Sequence, residues 1–240
     1  MNKSLRIRAL SKSKTIILIL SIIIINIADF INTNNQVTYV DRNPLQSAWN
    51  NNMLILGHFR LGGVIYMFLV FILAAIPLSD CLVADRKSGL INQLLVKIDK
   101  AEYLKSVYLN NFLYGGIFTI LPLLINLILW MMVRPLFSMN YISGNLSNFE
   151  LFSRLFANST PLFFIIHFII VFIIGGMIAS LALVINDRFN NKYIGGLLVL
   201  VIDIVFAILV QIYSFETNSH IVLKGLMELI TNRAPINNLI

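Results

Sequence analysis

The sequence predicts an all-α integral membrane protein of about five transmembrane helices, with a charged amphipathic helix on the cytoplasmic side between the second and third. Three observations carry that prediction. Of the 240 residues, 58% are hydrophobic and only 12% are charged, whereas a soluble domain carries about 25% charged residues. The apolar residues gather in runs approaching the ~20 needed to cross about 30 Å of hydrocarbon at about 1.5 Å per residue. Lys and Arg crowd into alternate connections between those runs. A backbone in lipid must satisfy its own hydrogen bonds, so the runs are read as helices. The net charge of +7 is accordingly read as basic loops facing the cytoplasm, and no nucleic-acid partner is expected.

The whole chain, 1–240, reads as one transmembrane domain. Its first predicted span covers 15–30 and follows a basic N-terminus. It is rich in isoleucine and lacks a small-x-small cleavage site, so it is expected to be retained rather than removed as a signal peptide. The others cover 61–83, 109–133, 161–185 and 193–213. Pro77 and Pro122 fall inside the second and third, where proline can kink a helix. Paired glycines recur at Gly62-Gly63, Gly115-Gly116, Gly175-Gly176 and Gly195-Gly196. Small residues of this kind let membrane helices approach closely. The lone cysteine, Cys81, has no partner for an internal disulfide and reads as a small filler residue.

Charge fixes the orientation. Of the 18 Lys and Arg residues, twelve fall at the N-terminus, after the second span or after the fourth; the other six lie on the opposite side. The N-terminus is therefore expected in the cytoplasm and the C-terminus outside. The abundance of Ile, Asn and Lys suggests an AT-rich bacterial genome, so the expected location is the bacterial cell membrane, with lipid as a partner.

The connection 85–106, DRKSGLINQLLVKIDKAEYLKS, interrupts the apolar runs. Over 89–105, Leu90, Leu94, Ile98 and Ala101 make one stripe that Ile91 and Leu95 widen, while Lys97, Asp99, Lys100 and Glu102 lie mostly elsewhere. That is the i, i+4 pattern of an amphipathic helix. Such a helix can lie at the membrane surface, offer its polar face to a cytoplasmic partner, or merely connect two spans.

The runs Asp85-Arg86-Lys87-Ser88-Gly89, Gln93-Leu94-Leu95 and Lys100-Ala101-Glu102-Tyr103 resemble, in order and spacing, the loop between the second and third spans of ABC-2 type transporter permeases. The loop's place after the second span is similar too. The resemblance in span layout covers most of the chain; the motif covers about twenty residues. Two details depart from it: Ile98 stands near the family's usual proline after the Leu-Leu pair, and Val107 stands where a lysine is common. The family usually has six spans, and 214–240 holds only a short apolar run, 221–230, similar to the short helices that dip into the outer leaflet before a sixth span.

The resemblance implies the membrane subunit of an ATP-binding cassette exporter. A separate ATPase subunit would dock on the cytoplasmic loop, and its ATP-driven closure would be passed into the spans. A second permease chain, identical or not, would complete the pair. Asp85, Arg86, Gly89, Leu94, Leu95, Lys100, Glu102 and Tyr103 are the coupling residues it implies. The chain lacks the G-x-x-x-x-G-K-[ST] phosphate loop, so hydrolysis would belong to the partner and the chain itself is not expected to be an enzyme. By analogy the cargo is a peptide or another amphiphile. No cofactor or metal is expected.

Three polar residues stand inside predicted spans. Asp203 lies near the middle of the fifth, where a carboxylate costs a few kcal/mol and is a candidate functional group. It could line a path, pair with a basic group, be protonated, or serve packing. His167 in the fourth span is a candidate partner for it, and Asn126 in the third reads as interhelical glue. Asp29 and Asp80 are expected at the outer and cytoplasmic edges, where charge is cheap. The alternatives to an exporter are a secondary transporter, which would favour several intramembrane charges and inverted repeats, and a membrane enzyme. Against the latter, H-E-x-x-H and G-x-S-x-G are absent and the three histidines are scattered.

Overall fold

In the computed structural model, residues 12–40, 48, 61–96, 98–134, 136, 159–202 and 204–205 are described, with backbone only at 12–15, 32–40, 61–64 and 67–68. Six helices follow in order: α1 (Lys12–Val40), α2 (Leu61–Ala75), α3 (Cys81–Lys87), α4 (Leu90–Leu95), α5 (Lys100–Val133) and α6 (Thr160–Phe189). Residues 194–202 are helical as well, and no strand occurs among the described residues. The all-helical prediction therefore holds. Two helices, α5 of 34 residues and α6 of 30, are long and apolar enough to cross a membrane; the apolar run Ile16–Ile31 within α1 is shorter.

Helices α1, α5 and α6 turn their polar groups into an otherwise apolar interior and expose apolar stripes. Along α6, Leu162, Ile165, Ile169, Ile173, Met177, Leu181 and Val184 form an exposed stripe from end to end, while Thr160, His167 and Asn186 are buried. Helix α5 does the same, exposing Leu109, Leu113, Ile117, Leu124, Ile128 and Met132 and burying Asn110, Asn111, Thr119 and Asn126. In α1 the buried face is Leu18, Ile22, Ile25, Asn26 and Asp29, and the isoleucines at 16, 17, 19, 23, 24, 27 and 31 point outward. Steps of three and four residues keep each set on one side of its helix. In water such stripes would be a large exposed apolar patch; against hydrocarbon they cost nothing.

The chain divides into two compact units, made of the described parts of Met1–Ile22, Phe68–Ile120 and Phe172–Ile202, and of Ile23–Met67, Leu121–Val171 and Asp203–Ile240. In the first, α5 and α6 approach through their glycines. A Cβ at Gly115 would collide with the Ala179 Cβ, and one at Gly176 would come within 2.6 Å of the Phe112 ring. A Cβ at Gly116 would strike the Phe172 ring, and one at Gly175 would strike Thr119. The exchange is reciprocal: each glycine pair receives side chains from the other helix. The close-packing expectation holds for these two pairs, which are followed by the Phe112–Phe172 edge contact at 5.9 Å. In the second unit, Phe30 packs on Trp130 with ring centroids 5.0 Å apart.

Two elements differ from the sequence reading. The second span was expected to run to Val83, but α2 ends at Ala75 and residues 76–80 form a turn. Pro77 is the reason. It disfavours helical geometry at Ile76 and brings no N–H of its own. Leu78, Cys81, Leu82 and Val83 are apolar because they are buried: the first three join Tyr103, Val107 and Leu183 in a core cluster. The amphipathic helix expected over 89–105 is also broken, into α4 and the first turns of α5, with Val96, Ile98 and Asp99 outside both. Val96 and Ile98 are β-branched and weak in helices. Asp99 stands at the N-cap position, with Glu102 three residues on, the residue types favoured where a helix begins. Pro122 lies inside α5, which continues through it.

Residues 41–47, 49–60, 137–158, Asp203, the predicted fifth span beyond 205 and the apolar run 221–230 lie outside the described residues.

Candidate functional site

The segment that carries the motif, 81–105, folds on the first unit as a small platform. It starts from the core cluster, against which Ile91, Leu94 and Leu104 also pack. Helix α3 ends at Lys87 with Ser88 at its C-cap, and Gly89 takes φ 72°, a left-handed conformation that glycine adopts without strain. The Gly89 N–H donates to the Arg86 carbonyl at 3.3 Å, and the chain turns directly into α4.

The eight residues implied as coupling groups fall into two sets. Asp85 and Tyr103, 1% and 2% exposed, are turned inward. The Tyr103 hydroxyl donates to Asp85 Oδ2 at 2.6 Å, and the Cys81 thiol lies 3.8 Å from the same oxygen. This hydrogen bond ties α3 to the start of α5, so these two side chains build the platform rather than face a partner. Leu94 is half-buried and belongs with them. Arg86, Gly89, Leu95, Lys100 and Glu102 are exposed, as are Lys87 and Gln93. They form the outward set.

A carboxylate buried as deeply as Asp85 depends on its donors. Removing the phenol OH with Tyr103→Phe should lower stability by about 1–3 kcal/mol, the cost of leaving a buried acceptor short of a donor. The chain's single cysteine, Cys81, is buried in the same cluster. Its reaction with a thiol-reactive dye on heating in detergent therefore reports unfolding directly, and the transition should fall by several degrees.

The end of α6 carries a second set that sequence reasoning missed. Asn186 is fully buried. Its Nδ2 donates to the Ser79 carbonyl, the Ser79 hydroxyl and the Lys192 carbonyl, each at 3.1 Å. Its Oδ1 accepts from the Gly195 N–H at 2.6 Å. One side chain thus ties the turn before α3, the end of α6 and the start of the stretch 194–202. Next to it, Asp187 Oδ1 lies 2.7 Å from Arg86 Nη2, an ion pair whose side chains are 51% (Arg86) and 33% (Asp187) exposed. At that exposure the pair contributes about 0–1 kcal/mol. The only sequence signal was an Asn-Asp pair just after an apolar run, which also marks any span end.

The described intramembrane candidates, Asn126 and His167, belong to the second unit. Asn126 is fully buried and its Nδ2 donates to Asp29 Oδ2 at 2.8 Å, so the glue expected of it is what it supplies. Asp29 is 1% exposed, so its side chain is packed among protein groups rather than in water. It shares the inner face of α1 with Ile22, Ile25 and Asn26, and that face is turned away from solvent. His167 is buried, with its ring stacked on Phe163 at 5.9 Å. Asp80 is half-exposed at the start of α3. Among the described residues no group of three or more His, Cys, Asp or Glu side chains converges as metal ligands would.

Comparison with protein-family models, with curated proteins and with solved structures finds no match.

Proposed function

We propose that the chain is the membrane-spanning permease subunit of an ATP-binding cassette exporter in a bacterial cell membrane. About five spans cross the bilayer with the N-terminus inside, and segment 85–106 lies in the cytoplasm. A separate ATPase docks there, a second permease chain completes the pair, and the cargo is a peptide or another amphiphile. The membrane placement is supported by the exposed apolar stripes of α1, α5 and α6.

One observation carries the functional reading. The motif-bearing segment is a folded platform, tied by Asp85–Tyr103 to α5 and, at its entry, by Ser79–Asn186 to α6, with Arg86, Lys87, Gln93, Lys100 and Glu102 turned outward. A solvated connector needs neither the internal bonds nor the buried apolar side. A docking element needs both, because a partner's push must move the helices and not merely bend a loop.

Purification of the chain from its native membrane in mild detergent should bring down an ATPase. The double variant Arg86→Glu, Lys100→Glu should reduce its recovery at least tenfold. Unchanged recovery contradicts the docking role, and proton-gradient-driven transport with no ATPase bound would replace the exporter reading with that of a secondary transporter.

A further inference from the structure

Neighbouring side chains at the end of α6 hold the platform in two unlike ways. Asn186 is buried, with all its amide bonds internal: to Ser79, in the turn that enters α3, and to Lys192 and Gly195, at the entry to 194–202. Nothing in the cytoplasm can compete for those bonds. Asp187 holds Arg86, at the exit of α3, through one ion pair whose guanidinium is half open to solvent while the Asp187 oxygen that meets it is covered. A half-exposed pair stabilises a fold little, so a competing carboxylate can take the Arg86 guanidinium at small cost. Helix α3 is thus fixed at its entry and detachable at its exit.

The geometry points to Asp187 as a positioning residue and to Arg86–Asp187 as a releasable latch. With the latch closed, α3 and α4 are aligned on the end of α6. When an acidic group of a docked partner engages Arg86, the exit of α3 swings free of Asp187. The entry of α3 remains bound through Ser79 and Asn186, so the displacement is delivered to the end of α6 and the start of 194–202. A two-state element biased by the partner is what coupling between sites requires. The partner being an ATPase rests on the function proposed above; the latch itself does not.

The test uses the full-length chain in lipid vesicles, with Cys81→Ala and spin labels on cysteines placed at Gln93 and Phe189, both exposed. The inter-label distance should be single and narrow. Arg86→Ala or Asp187→Ala should each broaden it or add a second distance, while the melting temperature shifts by no more than about 3 °C. Asp187→Glu should restore the narrow distance, and so should the swap Arg86→Asp, Asp187→Arg. A distance that stays narrow in Asp187→Ala overturns the latch. So does failure of both restoring variants when each melts as the wild type does. Whether an ATPase co-purifies with the wild type is read separately, so the proposed function and the latch can fail independently.

Discussion

Gly195→Ala should be one of the most damaging single-methyl substitutions in the chain. A Cβ there would overlap the Ala182 carbonyl oxygen and lie 2.8 Å from its carbon and from Asn186 Oδ1. Two of those atoms are backbone, so no side chain can turn aside. The start of 194–202 would have to move off α6, breaking the bond from the Gly195 N–H to Asn186. Overpacking alone costs about 1–3 kcal/mol, and the lost buried hydrogen bond adds about 1–3 more. The control is the next residue. A Cβ at Gly196 meets only the Ala75 Cβ, at 3.1 Å, a contact that a few tenths of an ångström relieve. Thermal exposure of the Cys81 thiol should come at least 10 °C earlier in Gly195→Ala and within a few degrees of wild type in Gly196→Ala.

Asn186→Leu should cost about 3 kcal/mol or more. Leucine keeps the branched outline of asparagine but is bulkier, so overpacking adds to the chemical loss. Ser79 O, Ser79 Oγ, Lys192 O and the Gly195 N–H lose the same partner at once, and each buried group left unsatisfied costs about 1–3 kcal/mol. Asn186→Asp separates the two halves of the role. It keeps an acceptor for Gly195 but gives up the three donated bonds and faces a carboxylate toward two carbonyl oxygens. It should be no better tolerated than leucine. The same dye-based melting curve measures both, and a loss below about 1 kcal/mol in Asn186→Leu would show that water replaces the amide.

Helix type and close packing were legible in the sequence because both depend on local composition. Gly115-Gly116 and Gly175-Gly176 announced a close approach, and they make one. Asn126 announced an interhelical bond, although its acceptor Asp29 could not be read. A residue's face means something only once the packing partner is known, and an acidic residue at the end of an isoleucine run looks the same turned inward or outward. Hydropathy also cannot separate lipid from protein interior. Leu78, Cys81, Leu82 and Val83 raise the local average as much as a true span would, and only Pro77 marked the turn that removes them from α2. The break at Val96, Ile98 and Asp99 was signalled by Asp99 and Glu102, against the apolar stripe through Leu94, Ile98 and Ala101. Asn186 gave no signal of its own, because its partners lie 107 residues away at Ser79 and across a turn at Lys192 and Gly195.

The proposed function requires the helices to lie in a bilayer with the platform on its cytoplasmic side. The most direct measurement labels a cysteine placed at Gln93, exposed on α4, with a membrane-impermeant maleimide in a Cys81→Ala background. The chain should remain in the membrane fraction after alkaline washing. The Gln93→Cys site should label in inside-out vesicles and stay unlabelled in intact cells. Labelling in intact cells, or release of the chain by the wash, would contradict the proposed membrane placement.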